Sequence, residues 1–123
     1  MPTEKPQRSP KGVSDLPIAL DLPPAQMDLV AKYARGENRT KSAFARLLVK
    51  RGLAAYKKNP RVLSSVRVDG ATSRRHIGLR LMPDEVADLE EGARKEIRSV
   101  ALFARLLALV GLAEFEEELG VGT

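Results

Sequence analysis

Ile18-Ala19-Leu20-Asp21-Leu22-Pro23-Pro24 and Ile77-Gly78-Leu79-Arg80-Leu81-Met82-Pro83 decide how this chain is read. In each stretch the large aliphatic residues fall at alternate positions, the period of a strand with one buried face. Ile18, Leu20 and Leu22 share one side and Pro17, Ala19 and Asp21 the other. Ile77, Leu79 and Leu81 are likewise opposed to His76, Gly78 and Arg80. Each stretch then stops at a proline suited to the first turn of a helix. The two lie 59 residues apart, and at that offset residues 18–58 align with 77–117 without a gap, giving 16 identities in 41 pairs. Composition alone gives roughly 2 or 3, so one small unit is used twice.

The rest of each unit follows the same order. Met27, Val30, Ala31 and Ala34, and then Val86, Leu89 and Ala93, recur at helical spacing. Thr40 and Ser99 are hydroxyl caps for a second helix, whose buried stripe is Phe44, Leu47, Leu48 and Ala55, matched by Phe103, Leu106, Leu107 and, one position removed, Phe115. Gly52 and Gly111 sit inside that helix at a cost of about 1 kcal/mol against alanine, a sign of close helix approach. A unit of about 40 residues is near the lower limit for an independent core, so the two are expected to share one. Their strands then pair antiparallel about a pseudo-twofold axis. The fold expected is mainly α, one intramolecular pseudo-dimer with a two-stranded ribbon. Residues 1–16 read as a disordered basic arm, 17–58 and 76–118 as the repeats, 59–75 as a basic linker and 119–123 as a tail.

With 43% hydrophobic and 30% charged residues the composition is that of a soluble folded protein, and the absence of cysteine removes disulfides and thiolate metal sites. No apolar run is long enough for a bilayer and the N-terminus has no secretory signal, so a cytoplasmic home without membrane contact is expected. One histidine, no Gly-rich phosphate loop and no acid, base and nucleophile set argue against an enzyme, a metal site or a cofactor. The net charge of +5 is unevenly spread: +6 over 17–58, +3 over 59–75 and −4 over 76–117. A concentrated positive field suits a polyanion, chiefly nucleic acid.

Alternating strand, proline-started helix and hydroxyl-capped second helix, twice over, resemble the ribbon-helix-helix DNA-binding proteins, the family of the Arc and methionine repressors. Both units in one polypeptide are similar to its tandem, TraY-like members. The resemblance implies a ribbon in the major groove of double-stranded DNA, with outward strand residues reading bases and the start of each second helix holding phosphates. Carried onto this chain, the base readers are Arg80, His76, Gly78, Ala19 and Asp21, with Pro17. The phosphate anchors are Arg39, Thr40, Lys41, Arg98 and Ser99, and Arg74 and Arg75 can add to them. Further phosphate candidates are Lys32, Lys50, Lys57, Lys58, Arg61 and Arg67. The role implied is a transcriptional repressor or an accessory of plasmid conjugation; a protein-interaction module that kept the fold and lost base reading is the alternative. The first strand offers proline, alanine and an acid where polar readers are usual, and Arg80 either contacts a guanine or pairs with Asp21 across the ribbon. A fused pair need not read a palindrome. Leu109 and Val100 replace Lys50 and Lys41 in the second unit, so that face is expected to meet another copy or a partner protein.

Overall fold

The structure, a computed structural model, describes residues 18–66 and 75–120. It is mainly helical, with the order β1 (Ile18–Leu20), α1 (Pro24–Gly36), α2 (Lys41–Lys58), a 3₁₀ turn (Pro60–Ser65), β2 (Ile77–Leu79), α3 (Pro83–Glu96) and α4 (Val100–Leu119). The two strands pair antiparallel, Ile18 opposite Leu79, Ala19 opposite Gly78 and Leu20 opposite Ile77. Strand, helix, helix therefore occurs twice around one small sheet, a ribbon-helix-helix-like layout. The expected arm, Pro17, Arg67, Arg74 and residues 121–123 of the tail lie outside the described residues.

Local chemistry fixes the element ends. Both first helices begin at their proline, whose missing amide hydrogen costs nothing at a helix start. The Thr40 hydroxyl accepts from the Ala43 amide at 3.0 Å and the Ser99 hydroxyl from the Leu102 amide at 3.1 Å, so both second helices are capped alike. The turn before each is the same as well: Arg39 and Arg98 donate their backbone amides to the carbonyls of Ala34 and Ala93 at 2.8 and 2.9 Å. That turn needs a left-handed residue, supplied by Asn38 at φ 59° and by Ile97 at φ 55°. Asparagine tolerates this conformation. A β-branched residue does not, and Ile97 is also 92% exposed, with no burial to offset the strain. Ile97→Asn is expected to raise unfolding free energy by about 1 kcal/mol in urea titration; a loss of stability would show that the side chain has a packing role.

The core lies beneath the ribbon and between the second helices. Leu20, Ile77 and Leu79 are buried from the strands, Leu22 and Leu81 from the two residues that follow each, and Phe44, Leu48, Phe103, Leu107 and Phe115 from α2 and α4. α2 and α4 cross antiparallel: a Cβ at Gly52 would overlap the Leu107 carbonyl, and one at Gly111 would overlap the Leu48 carbonyl. The contacts repeat when the halves are exchanged. Phe44 meets Phe115 edge-on with ring centres 5.0 Å apart, and the equivalent pair, Phe103 and Tyr56, meets edge-on at 5.1 Å. Hydrogen bonds also join the halves, Tyr33 donating to Glu116 at 2.6 Å and Tyr56 to Glu96 at 2.7 Å. Burial, then the Glu96 contact, pushes the Tyr56 hydroxyl up to about 12, so it remains a donor through the physiological range.

The expected docking face around Leu109 is not available. Leu109 is 7% exposed and Val100 is half-buried against the core. The connector accounts for this: its 3₁₀ turn packs on α4 with Leu63 buried, and Val66 shares a cleft with Leu109 and Leu112. Alignment with Lys50 placed Leu109 on a solvent face, but the connector covers that face of α4 within the same chain. No helix among the described residues is long and apolar enough to cross a membrane.

Candidate nucleic-acid interface

With the aliphatic side chains turned inward, the ribbon's other face is left to short and polar residues. Ala19, His76, Gly78 and Arg80 are exposed and Asp21 is half-buried. The register arranges them along the ribbon. Ala19 and Gly78 face each other at the centre, where neither has a side chain long enough to hydrogen-bond a ligand. Continued by two residues, the pairing sets Asp21 opposite His76 at one end and Arg80 at the other.

Arg80 and Asp21 are therefore not a pair across the ribbon. They stand four residue steps apart, about 13 Å. Asp21 instead lies between His76 and Arg105 of its own end, 3.0 Å from His76 Nδ1 and 3.5 Å from an Arg105 guanidinium nitrogen. The His76 contact has ion-pair distance without hydrogen-bond alignment. Arg105 is a charged residue inside an apolar helix, and Arg46, its equivalent in α2, also turns to an acid, donating to both Glu85 oxygens at 2.9 and 3.1 Å. The sequence carried a signal for both, since they are the charged member of the otherwise apolar Phe-Ala-Arg-Leu-Leu block at 44–48 and 103–107. Arg80 makes no ion pair among the described residues.

Glu85 fixes the start of α3. Its carboxylate accepts the Met82 amide at 2.8 Å and lies 3.5 Å from Lys50. Burial raises this carboxyl, but the Met82 amide, the Arg46 guanidinium and Lys50 together outweigh burial and hold it below the usual carboxylate range. A depressed folded value gives stability that is present above the unfolded pKa and is lost as pH falls through the folded one. Glu85→Gln is expected to cost about 1 to 2 kcal/mol at pH 7, and the difference from the parent protein should narrow as pH falls below the ordinary glutamate value of about 4.3. Urea titrations at pH 7 and pH 3.5 check this; an equal gap at both would contradict it.

The starts of the second helices flank the ribbon. α2 packs against β2, where the Ser42 hydroxyl donates to the Gly78 carbonyl at 3.0 Å, and α4 packs against β1. Arg39, Thr40, Lys41, Arg98 and Ser99 are all exposed there. Arg35 joins the first group, lining with Asn38, Arg39, Thr40 and Lys41 an open cleft at the head of α2. Sequence reading missed Arg35 and Ser42. Arg35 shares its identity with Arg94 in the alignment, and Ser42 follows the cap by two residues.

Other candidates are placed elsewhere. Lys57 and Lys58 end α2, about 24 Å along the helix from Lys41, and Lys57 is bound to Asp88 at 2.9 Å. Lys50 is held by Glu85, Lys32 lies over the Tyr33 ring and Arg75 is 3.9 Å from Asp28. Arg61, by contrast, lies beside an expected anchor, lining a cleft with Glu96 and Arg98. No protein-family model, no curated protein and no solved structure matches this chain.

Proposed function

We propose that the chain is a tandem ribbon-helix-helix protein, two copies of one ancestral unit fused in a single polypeptide, that binds double-stranded DNA without enzymatic activity. The ribbon enters the major groove, where base edges carry a distinguishable donor and acceptor pattern. Arg80 reads from it, while the capped starts of α2 and α4 hold phosphates through Arg39, Thr40, Lys41, Arg98 and Ser99. Free amides and the positive end of the helix dipole favour anions there. The protein works in the cytoplasm as a transcriptional repressor or as an accessory that marks a site for plasmid conjugation.

The observation that carries this reading is one arrangement: an exposed ribbon bearing Arg80, flanked by two hydroxyl-capped helix starts bearing Arg39, Lys41 and Arg98, all four cations without an ion pair among the described residues. The acid on the ribbon is offset by Arg105, whose guanidinium lies 3.5 Å from Asp21. Fluorescence anisotropy with labelled duplex at several salt concentrations tests the reading. Arg39, Lys41 and Arg98 together predict a log–log slope of about −3, from roughly −0.9 for each phosphate contact. Absent or salt-independent binding to every duplex would assign the fold to protein recognition instead.

A further inference from the structure

We propose that the duplex recognised by this chain is non-palindromic, with a guanine read at one end of the ribbon and one DNA strand gripped more strongly than the other. This rests on the DNA reading above. A reader with true twofold symmetry repeats each contact on both sides, so its site mirrors itself. Here the backbone keeps that symmetry and the side chains break it in two directions.

Along the ribbon, the two-residue step from the Ala19–Gly78 centre leads to Arg80 at one end and to Asp21 at the other. Arg80 is exposed and presents the donors that fit the N7 and O6 acceptors of guanine. Asp21 is closed in by His76 and Arg105, so its end offers no comparable donor fork. The central pair adds no long side chain. Base discrimination is thus concentrated at the Arg80 end.

Across the ribbon, the flanking helix starts differ position by position. On the β2 edge stand Arg35, Asn38, Arg39, Thr40, Lys41 and Ser42, with Ser42 tied to Gly78. On the β1 edge the same positions are Arg94, Ile97, Arg98, Ser99, Val100 and Ala101. Arg94 is bound to Glu91 at 2.8 Å, which leaves Arg98, with Arg61 beside it in one cleft, as the cations of that edge without an ion pair among the described residues, against Arg35, Arg39 and Lys41 on the other. The backbone amides are equivalent on both edges, so each can hold a phosphate, but more of the charge that strengthens the hold is on the α2 side.

Selection of bound sites from a random duplex library, using the full chain, tests the proposal. The expected consensus lacks reverse-complement symmetry and has a guanine at one end only. Selection repeated with Arg80→Ala should lose that guanine and leave the remaining positions unchanged, with discrimination against other bases there reduced roughly 5- to 150-fold. A palindromic consensus, or an asymmetric one indifferent to Arg80→Ala, would overturn the proposal while leaving DNA binding intact. Failure to enrich any sequence would overturn specific DNA reading itself and this proposal with it.

Discussion

Gly52→Ala and Gly111→Ala are each expected to destabilise the protein by about 3 kcal/mol or more. On an exposed helix the same exchange would stabilise by about 1 kcal/mol, because alanine is the better helix former. The sign reverses here because the added methyl group meets backbone, the carbonyls of Leu107 and Leu48, which cannot move aside as a side-chain tip can. The helices must separate, and the interface that carries Phe44, Phe103, Leu48 and Leu107 opens with them. For a chain of this size the thermal midpoint should fall by roughly 10 to 20 °C, a large share of ordinary domain stability. Gly36→Ala is the internal control: a Cβ there meets nothing within 4 Å, so a small gain is expected. Circular dichroism melts of the three variants decide the matter. An unchanged midpoint for Gly52→Ala would mean that α2 and α4 do not cross at these residues.

The second large effect concerns binding. Exchanging Arg39, Lys41 and Arg98 together for alanine should flatten the salt slope by about 3 and weaken duplex binding roughly a hundredfold at 0.15 M salt. The loss should be similar for every sequence, since phosphate contacts position the protein without reading bases. All three side chains are exposed and make no ion pair among the described residues, so folding should be unaffected. Lys57→Ala, far along α2 and already bound to Asp88, should leave the slope as it is. Equal losses from Lys57→Ala and the triple exchange would point to diffuse charge attraction in place of a defined site.

Much of this fold was legible because its signals are local. Alternation in Ile18 to Leu22 and Ile77 to Leu81 named the buried face of each strand, the prolines named the helix starts, and Thr40 and Ser99 named the caps. Gly52 and Gly111 announced a close crossing, since a helix tolerates glycine poorly without a packing reason. The register was not legible. Nothing local says that Ala19 and Gly78 form the central pair, and that choice alone separates Arg80 from Asp21 and gives Asp21 to His76. The burial of Leu109 was hidden for a similar reason: it depends on the path of Pro60 to Val66, a connector whose sequence does not reveal which helix it crosses. Of the proposed site, the helix-start anchors came from the resemblance to ribbon-helix-helix proteins, with the caps Thr40 and Ser99 marking where those starts lie. Arg35 and Ser42 are brought to it only by the packing of α1 against α2 and of α2 against β2.

The ribbon's proposed role as the reading surface can be tested directly by mapping backbone amide chemical shifts of the isotope-labelled chain as duplex DNA is added. The account predicts perturbations concentrated at residues 18–21 and 76–80 and at the helix starts 39–42 and 98–101, with the C-terminal turns of α2 and α4 unmoved. Perturbations centred on Lys57 and Lys58, or on the acidic end of α4, with the ribbon silent, would contradict it.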